Sequence, residues 1–104
     1  MNLEKSLEIC QKYDFYKNLL TKKQQNIFES YFYQDIGLTE ISENEKITKQ
    51  TVLDTLKTTE KNLNEYDKKL NLTKIYSKQK NLIDQIKTSG NTKILDNILN
   101  VWED

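Results

Sequence analysis

The sequence has no arginine, histidine, proline or alanine, one cysteine (Cys10) and two glycines, Gly37 and Gly90. Each absence removes a class of chemistry. Without histidine there is no Ser-His-Asp or Cys-His relay. With no histidine and a lone cysteine there is neither a zinc site of the usual kinds nor an internal disulfide. Two isolated glycines cannot build a glycine-rich phosphate loop. No run approaches the ~18 apolar residues of a membrane span. The opening MNLEKSLEICQ carries Glu4 and Glu8 in place of a basic signal-peptide start. The expectation is a cytoplasmic, non-enzymatic protein with no cofactor, no metal and no membrane insertion.

What is present is enough for a small folded domain. The chain has 104 residues, the length of one domain. All 16 basic residues are lysine and they balance 16 acids, so the formal net charge is zero. Hydrophobic residues make up 36%, below the about 45–50% typical of globular domains. Even so, 13 Leu, 10 Ile and the aromatics supply a core, which argues against disorder. The wealth of Asn, Lys and Ile beside missing Ala and Pro follows AT-rich codon usage, so the missing arginine carries no functional message by itself.

The apolar pattern is helical throughout, with no segment of useful length alternating at period two. Residues 2–20 read as an amphipathic helix with Leu3, Leu7, Cys10 and Asp14 on one face and Ile9, Tyr13 and Tyr16 beside it. Thr21 is placed to cap a second helix with the stripe Gln24, Ile27, Phe28, Tyr31, Phe32. Gly37 reads as a stop and turn, and Thr39 as the cap of a short helix, TEISENE. After a break at Lys46-Ile47, Thr48 caps the longest run, in which Val52, Leu56, Thr59, Leu63, Tyr66, Leu70 and Thr73 are spaced 4-3-4-3-4-3. The pattern continues through Ile75, Leu82, Ile83 and Ile86 after a kink near Asn71-Leu72-Thr73. A last helix over 92–102, with Ile94, Leu95, Ile98, Leu99 and Trp102, follows Gly90-Asn91.

Residues 38–57, LTEISENEKITKQTVLDTLK, have the form of a helix-turn-helix, with Ile41, Ile47, Val52 and Leu56 directed into one core. An ordinary helical hairpin is the alternative on spacing alone. The expected fold is all-α: a three-helical helix-turn-helix core, winged-helix-like or sigma region-like, with a long helix and a C-terminal helical extension. One domain is expected over 1–104, its core at about 21–63 and its extension at about 64–102.

Three segments resemble the YlxM family: DFYKNLLTKKQ (Asp14 to Gln24), YFYQDIGLTEISE (Tyr31 to Glu43) and TKQTVLDTLKTTEKNLNEYDKKLNL (Thr48 to Leu72). The resemblance covers residues 14–72 with its spacing intact. It implies a small bacterial protein with a helix-turn-helix like the promoter-binding region of sigma factors, and no enzymatic activity. It also implies a regulatory or accessory role near the signal recognition particle, through the particle's GTPase or RNA. The departures fall largely on the face that would touch nucleic acid. Lys49 stands where the family has Arg, Thr51 where it has Ala, Leu53 where it has Tyr and Thr58 where it has Arg. Ser42 and Gln34 replace an Ala and an Asp.

The outward residues of the second helix are the nucleic-acid contact candidates: Lys49, Gln50, Thr51, Thr55, Lys57, Thr58 and Lys61, with Asp54 among them. Gln can bond adenine bidentately, and Lys or Thr can take phosphates or base edges. The bidentate Arg-to-guanine contact cannot be made by this chain. From Thr21 to Leu70 eight lysines face nine acids, a poor surface for a polyanion. DNA binding is therefore expected to be weak, and a DNA-binding transcriptional regulator is the second reading.

Other features read as structure. Glu40, Glu43 and Glu45 are a solvated helix face rather than a magnesium site. Cys10 is a small buried hydrophobe rather than a nucleophile. The aromatics Tyr13, Phe15, Tyr16, Phe28, Tyr31, Phe32 and Tyr33 are core joining the first two helices, not a base-stacking platform. The stripe beyond Leu56 exceeds what a helix-turn-helix needs. A homodimer is expected, with Leu63, Tyr66, Leu70, Ile83 and Ile86 as dimer-face candidates.

Overall fold

The structure is a computed structural model that describes residues 3–89. It contains α1 (Leu3–Tyr16), a 3-10 turn (Lys17–Leu19), α2 (Lys22–Phe32), α3 (Leu38–Glu45), α4 (Lys49–Leu70) and α5 (Leu72–Ser89). Among the described residues there is no strand. The helix expected over 92–102 lies outside them. The chain divides into two compact units, residues 1–70 and residues 71–104.

The first unit is organised around α4, which packs on α1, α2 and α3. Local chemistry sets its boundaries. Thr21 forms a capping box on α2: its hydroxyl accepts from the Gln24 N–H at 3.1 Å, and its own N–H donates to the Gln24 side chain at 3.0 Å. Thr48 caps α4, its hydroxyl accepting from the Thr51 N–H at 3.1 Å. Lys68 and Lys69 close the last turn of α4, where the helix dipole favours cations. The chain then breaks at Asn71, in the left-handed region with φ 59, so the expected kink is a separation of α4 from α5.

Several expectations are corrected. The stop after α2 is made by Asp35, with φ 54, and not by Gly37. Gly37 is instead the N-cap of α3, in extended conformation. Thr39 therefore lies inside the first turn of α3, and its carbonyl accepts from the Ser42 hydroxyl at 2.6 Å. The first helix turns 3-10 after Tyr16 rather than running on to Leu20. Its buried row is Ile9, Tyr13, Tyr16 and Leu20, whereas Leu7 is 65% exposed. Of the aromatics expected in the core, Tyr13, Tyr16 and Phe28 are buried and Tyr31 and Phe32 half-buried, whereas Phe15 and Tyr33 are exposed. Tyr13 stacks on Phe28 at 4.2 Å, and Phe28 on Phe32 at 4.4 Å. The two buried hydroxyls find carboxylates, Tyr13 donating to Glu29 at 2.5 Å and Tyr16 to Asp67 at 2.7 Å.

The turn between α3 and α4 holds Lys46 at φ 57, ψ 43, a left-handed conformation in which its Cβ is strained. The side chain is exposed. Lys46→Gly is expected to raise stability by ~0.5–1 kcal/mol, the relief of strain outweighing the greater freedom of glycine in the unfolded chain. A thermal melt reads this as a rise of a few degrees; an unchanged or lower melting temperature would show that the turn carries no such strain.

Candidate functional site

The helix-turn-helix is built from α3, the turn over 46–48 and the first half of α4. Its turn is closed by backbone bonds from the Ile47 N–H to the Ser42 carbonyl at 3.0 Å and from the Lys46 N–H to the Glu43 carbonyl at 3.3 Å. Ile41 and Val52 are fully buried together with Ile27 of α2, and Ile47, Leu56, Tyr31, Ile36 and Leu38 pack against them. This cluster fixes which side of α4 faces outward.

On that outward side Lys49, Gln50, Lys57, Thr58 and Lys61 are exposed. Thr51 and Thr55 are half-buried, and their hydroxyls are engaged within the protein. The Thr51 hydroxyl shares a bond with that of Thr48 at 2.7 Å, and the Thr55 hydroxyl donates to the Thr51 carbonyl at 2.8 Å. Each hydroxyl is thus engaged within the helix, while its oxygen keeps a lone pair that can accept from a partner. Gln50 is exposed, but its amide donates to Asp54 at 2.9 Å. A base reading this glutamine must compete with that bond.

The charge around this face is mixed. Asp54 lies in the middle of the row, and Glu40 and Glu43 are exposed on α3. In helix-turn-helix docking the first helix of the motif crosses the phosphate backbone, which is where these carboxylates stand. Among the described residues no group of three acids, cysteines or histidines is placed to hold a metal. Cys10 is half-buried, and burial pushes its thiol up from the usual range, away from a reactive thiolate. Burial also raises the Tyr13 and Tyr33 phenols, helped by hydrogen bonds to Glu29 and Asp14.

The dimer-face candidates have different fates. Leu63 is 0% exposed and belongs to the interior of the first unit, so it is withdrawn as a surface for a second copy. Its neighbours Asn64 and Asp67 bond α1, through Lys12 at 2.8 Å and Tyr16 at 2.7 Å. The pattern of apolar residues alone could not reveal that α1 covers this turn of α4. Tyr66 is half-buried, its ring 6.2 Å from that of Tyr16. Leu70 is 51% exposed, Ile83 43% exposed, and Ile86 half-buried. Among the described residues no helix is long and apolar enough to cross a membrane.

Comparison with known proteins adds a family. The model of the UPF0122 family, described as "Putative helix-turn-helix protein, YlxM / p13 like", matches residues 3–100. A UPF0122 protein of Geobacillus sp. strain WCH70 is 41% identical over 85 residues, covering 82% of this chain and 77% of the relative. The UPF0122 protein YlxM of Bacillus subtilis strain 168 is 37% identical over 87 residues, covering 84% of this chain and 79% of the relative. A UPF0122 protein of Thermoanaerobacter sp. strain X514 is 48% identical over 75 residues, covering 72% of this chain and 64% of the relative.

Proposed function

The chain belongs to the UPF0122 family of YlxM/p13-like helix-turn-helix proteins, and on that premise we propose that it acts by binding, without catalysis, as a regulatory or accessory protein of the signal recognition particle pathway. Its partner is the particle's protein GTPase or its RNA, and its place is the cytoplasm. The link to the particle is supported by the resemblance of residues 14–72 to the YlxM family. The preference for this reading over duplex DNA is carried by one observation: the outward face of the helix-turn-helix mixes lysines with Asp54, and Gln50 is already bonded to that carboxylate. A pull-down of purified GTPase and of the particle RNA with the full chain tests it; failure to retain either removes the reading.

The DNA-binding transcriptional regulator is the competing reading, since Lys49, Gln50, Lys57 and Lys61 do reach solvent. Duplex DNA is expected to bind with Kd in the ~10⁻⁴ to 10⁻⁶ M range or weaker at physiological salt, as non-specific complexes do. A gel shift at low and moderate salt measures this. A tight, sequence-specific complex that survives moderate salt and is lost on Lys49→Ala or Gln50→Ala would establish the regulator instead.

The exposure of Leu70 and Ile83 supports a homodimer. Sedimentation equilibrium at micromolar concentration is expected to give the mass of two chains, and Leu70→Glu or Ile83→Glu the mass of one. A single-chain mass at every concentration would exclude the dimer.

A further inference from the structure

The apolar face of α5 is symmetric about its own middle. Leu72, Ile75, Gln79, Leu82 and Ile86 follow one another at 3-4-3-4 spacing, and each is half-buried. Tyr76 and Ile83 border that row, 48% and 43% exposed. At about 100° per residue the seven positions fill an arc of about 120° on one side of the helix. Among the described residues of α5 none is buried, unlike Val52, Thr59 and Leu63 on α4. Counted from Gln79, Leu72 and Ile86 stand seven positions away on either side. Ile75 stands four before it and Leu82 three after; Tyr76 stands three before it and Ile83 four after. Gln79, the one amide in the face, is its centre.

A face with this symmetry fits a copy of itself running the opposite way, as a two-fold interface requires. Leu72 then meets Ile86 of the second copy, Ile75 meets Leu82, and Tyr76 meets Ile83, so each apolar residue is matched by an apolar one. Gln79 meets its own counterpart on the two-fold axis, where each amide can donate to and accept from the other; a purely apolar segment laid on the face would leave that amide unsatisfied. A parallel pair would instead set the Tyr76 and Ile83 border of one copy against the opposite border of the other, which carries Lys78 and Gln85. We propose that α5 is the seat of self-association, a second copy docking antiparallel along Leu72 to Ile86 with Gln79 at the crossing. A single polar residue in an apolar row fixes register in this way, at some cost in stability. This rests on the homodimer reading, and it names the surface and the alignment of the two chains.

The test uses the full chain with Cys10→Ser, so that each further variant carries a single thiol, and circular dichroism melts establish that each variant folds. The chains are oxidised at a concentration where sedimentation gives the mass of two. Gln79→Cys is expected to form a covalent dimer by itself. Tyr76→Cys and Ile83→Cys are each expected to stay single when alone, because like positions stand roughly 10 Å apart along the axis of an antiparallel pair, beyond the about 7 Å between Cα atoms that a disulfide spans. Mixed in equal amounts and left to exchange, these two are expected to give a covalent dimer holding one chain of each. Cross-linking of Tyr76→Cys or Ile83→Cys with itself would set the helices parallel. A two-chain mass with no cross-link, in Gln79→Cys or in the mixture, would place the dimer elsewhere. Either result overturns the proposal and leaves the homodimer standing. A single-chain mass at every concentration removes both, and gives the face to another occupant, residues 92–102 of the same chain or a foreign protein.

Discussion

Val52→Asp is expected to abolish the cooperative unfolding transition of the first unit. Val52 is 0% exposed and packs in the cluster with Ile27 and Ile41, where α2, α3 and α4 meet. A carboxylate there has no partner and no water. Burying an unpaired charge, together with the lost apolar contact, costs more than about 4–5 kcal/mol. That approaches the whole stability of a small domain, about 5–15 kcal/mol. Ile47→Asp is expected to cost less, several kcal/mol, because Ile47 is only half-buried at the turn. Thr58→Asp, on an exposed position of the same helix, is expected within about ±0.5 kcal/mol. Urea unfolding followed by circular dichroism gives the order. A native-like transition for Val52→Asp would mean that α4 turns a different side to its neighbours.

The second large effect falls on the aromatic seam. Phe28 is 1% exposed and lies between the rings of Tyr13 and Phe32, at 4.2 and 4.4 Å. Truncating a buried phenylalanine costs about 3–5 kcal/mol, the lost transfer energy plus that of the cavity, so Phe28→Ala is expected to be among the least stable single variants. Tyr13→Phe keeps the ring and deletes only the hydroxyl that donates to Glu29. Its expected cost is about 1 kcal/mol. A denaturant midpoint for Phe28→Ala no lower than that for Tyr13→Phe would show that hydrogen bonds, not ring packing, hold α1 to α2.

Local signals in the sequence located most of the helices. Thr21 and Thr48 cap where their hydroxyls suggested, and Ile41, Ile47, Val52 and Leu56 meet in one cluster. Both features depend on residues a few positions apart, which periodicity detects. The errors arose where two rows competed on one helix. Leu3, Leu7 and Cys10 are as regularly spaced as Ile9, Tyr13 and Tyr16, and leucine outranks tyrosine on hydropathy. The tyrosines are buried because Phe28, Glu29 and Asp67 await them on other helices, and no local pattern encodes that. The spacing offers Leu63 to a second copy for the same reason: it is buried on the stretch of α4 whose neighbours Asn64 and Asp67 bond α1, about fifty positions earlier. The outward residues of the helix-turn-helix were legible as a row, but the engagement of Thr51, Thr55 and Gln50 required coordinates.

The dependence of α1 on α4 has a consequence for synthesis. The chain emerges N-terminus first, so Tyr13 and Tyr16 leave the ribosome long before their partners. Tyr13 waits for Glu29, 16 positions behind, but Tyr16 waits for Asp67, 51 positions behind. At about 5–20 residues per second that interval lasts roughly 3–10 s. Through most of it α1 has only its partners on α2, Phe28 and Glu29, while the side that packs on α4 stays uncovered. The packing of α1 on α4 can form only when the last turns of α4 have cleared the tunnel, so the first unit closes late.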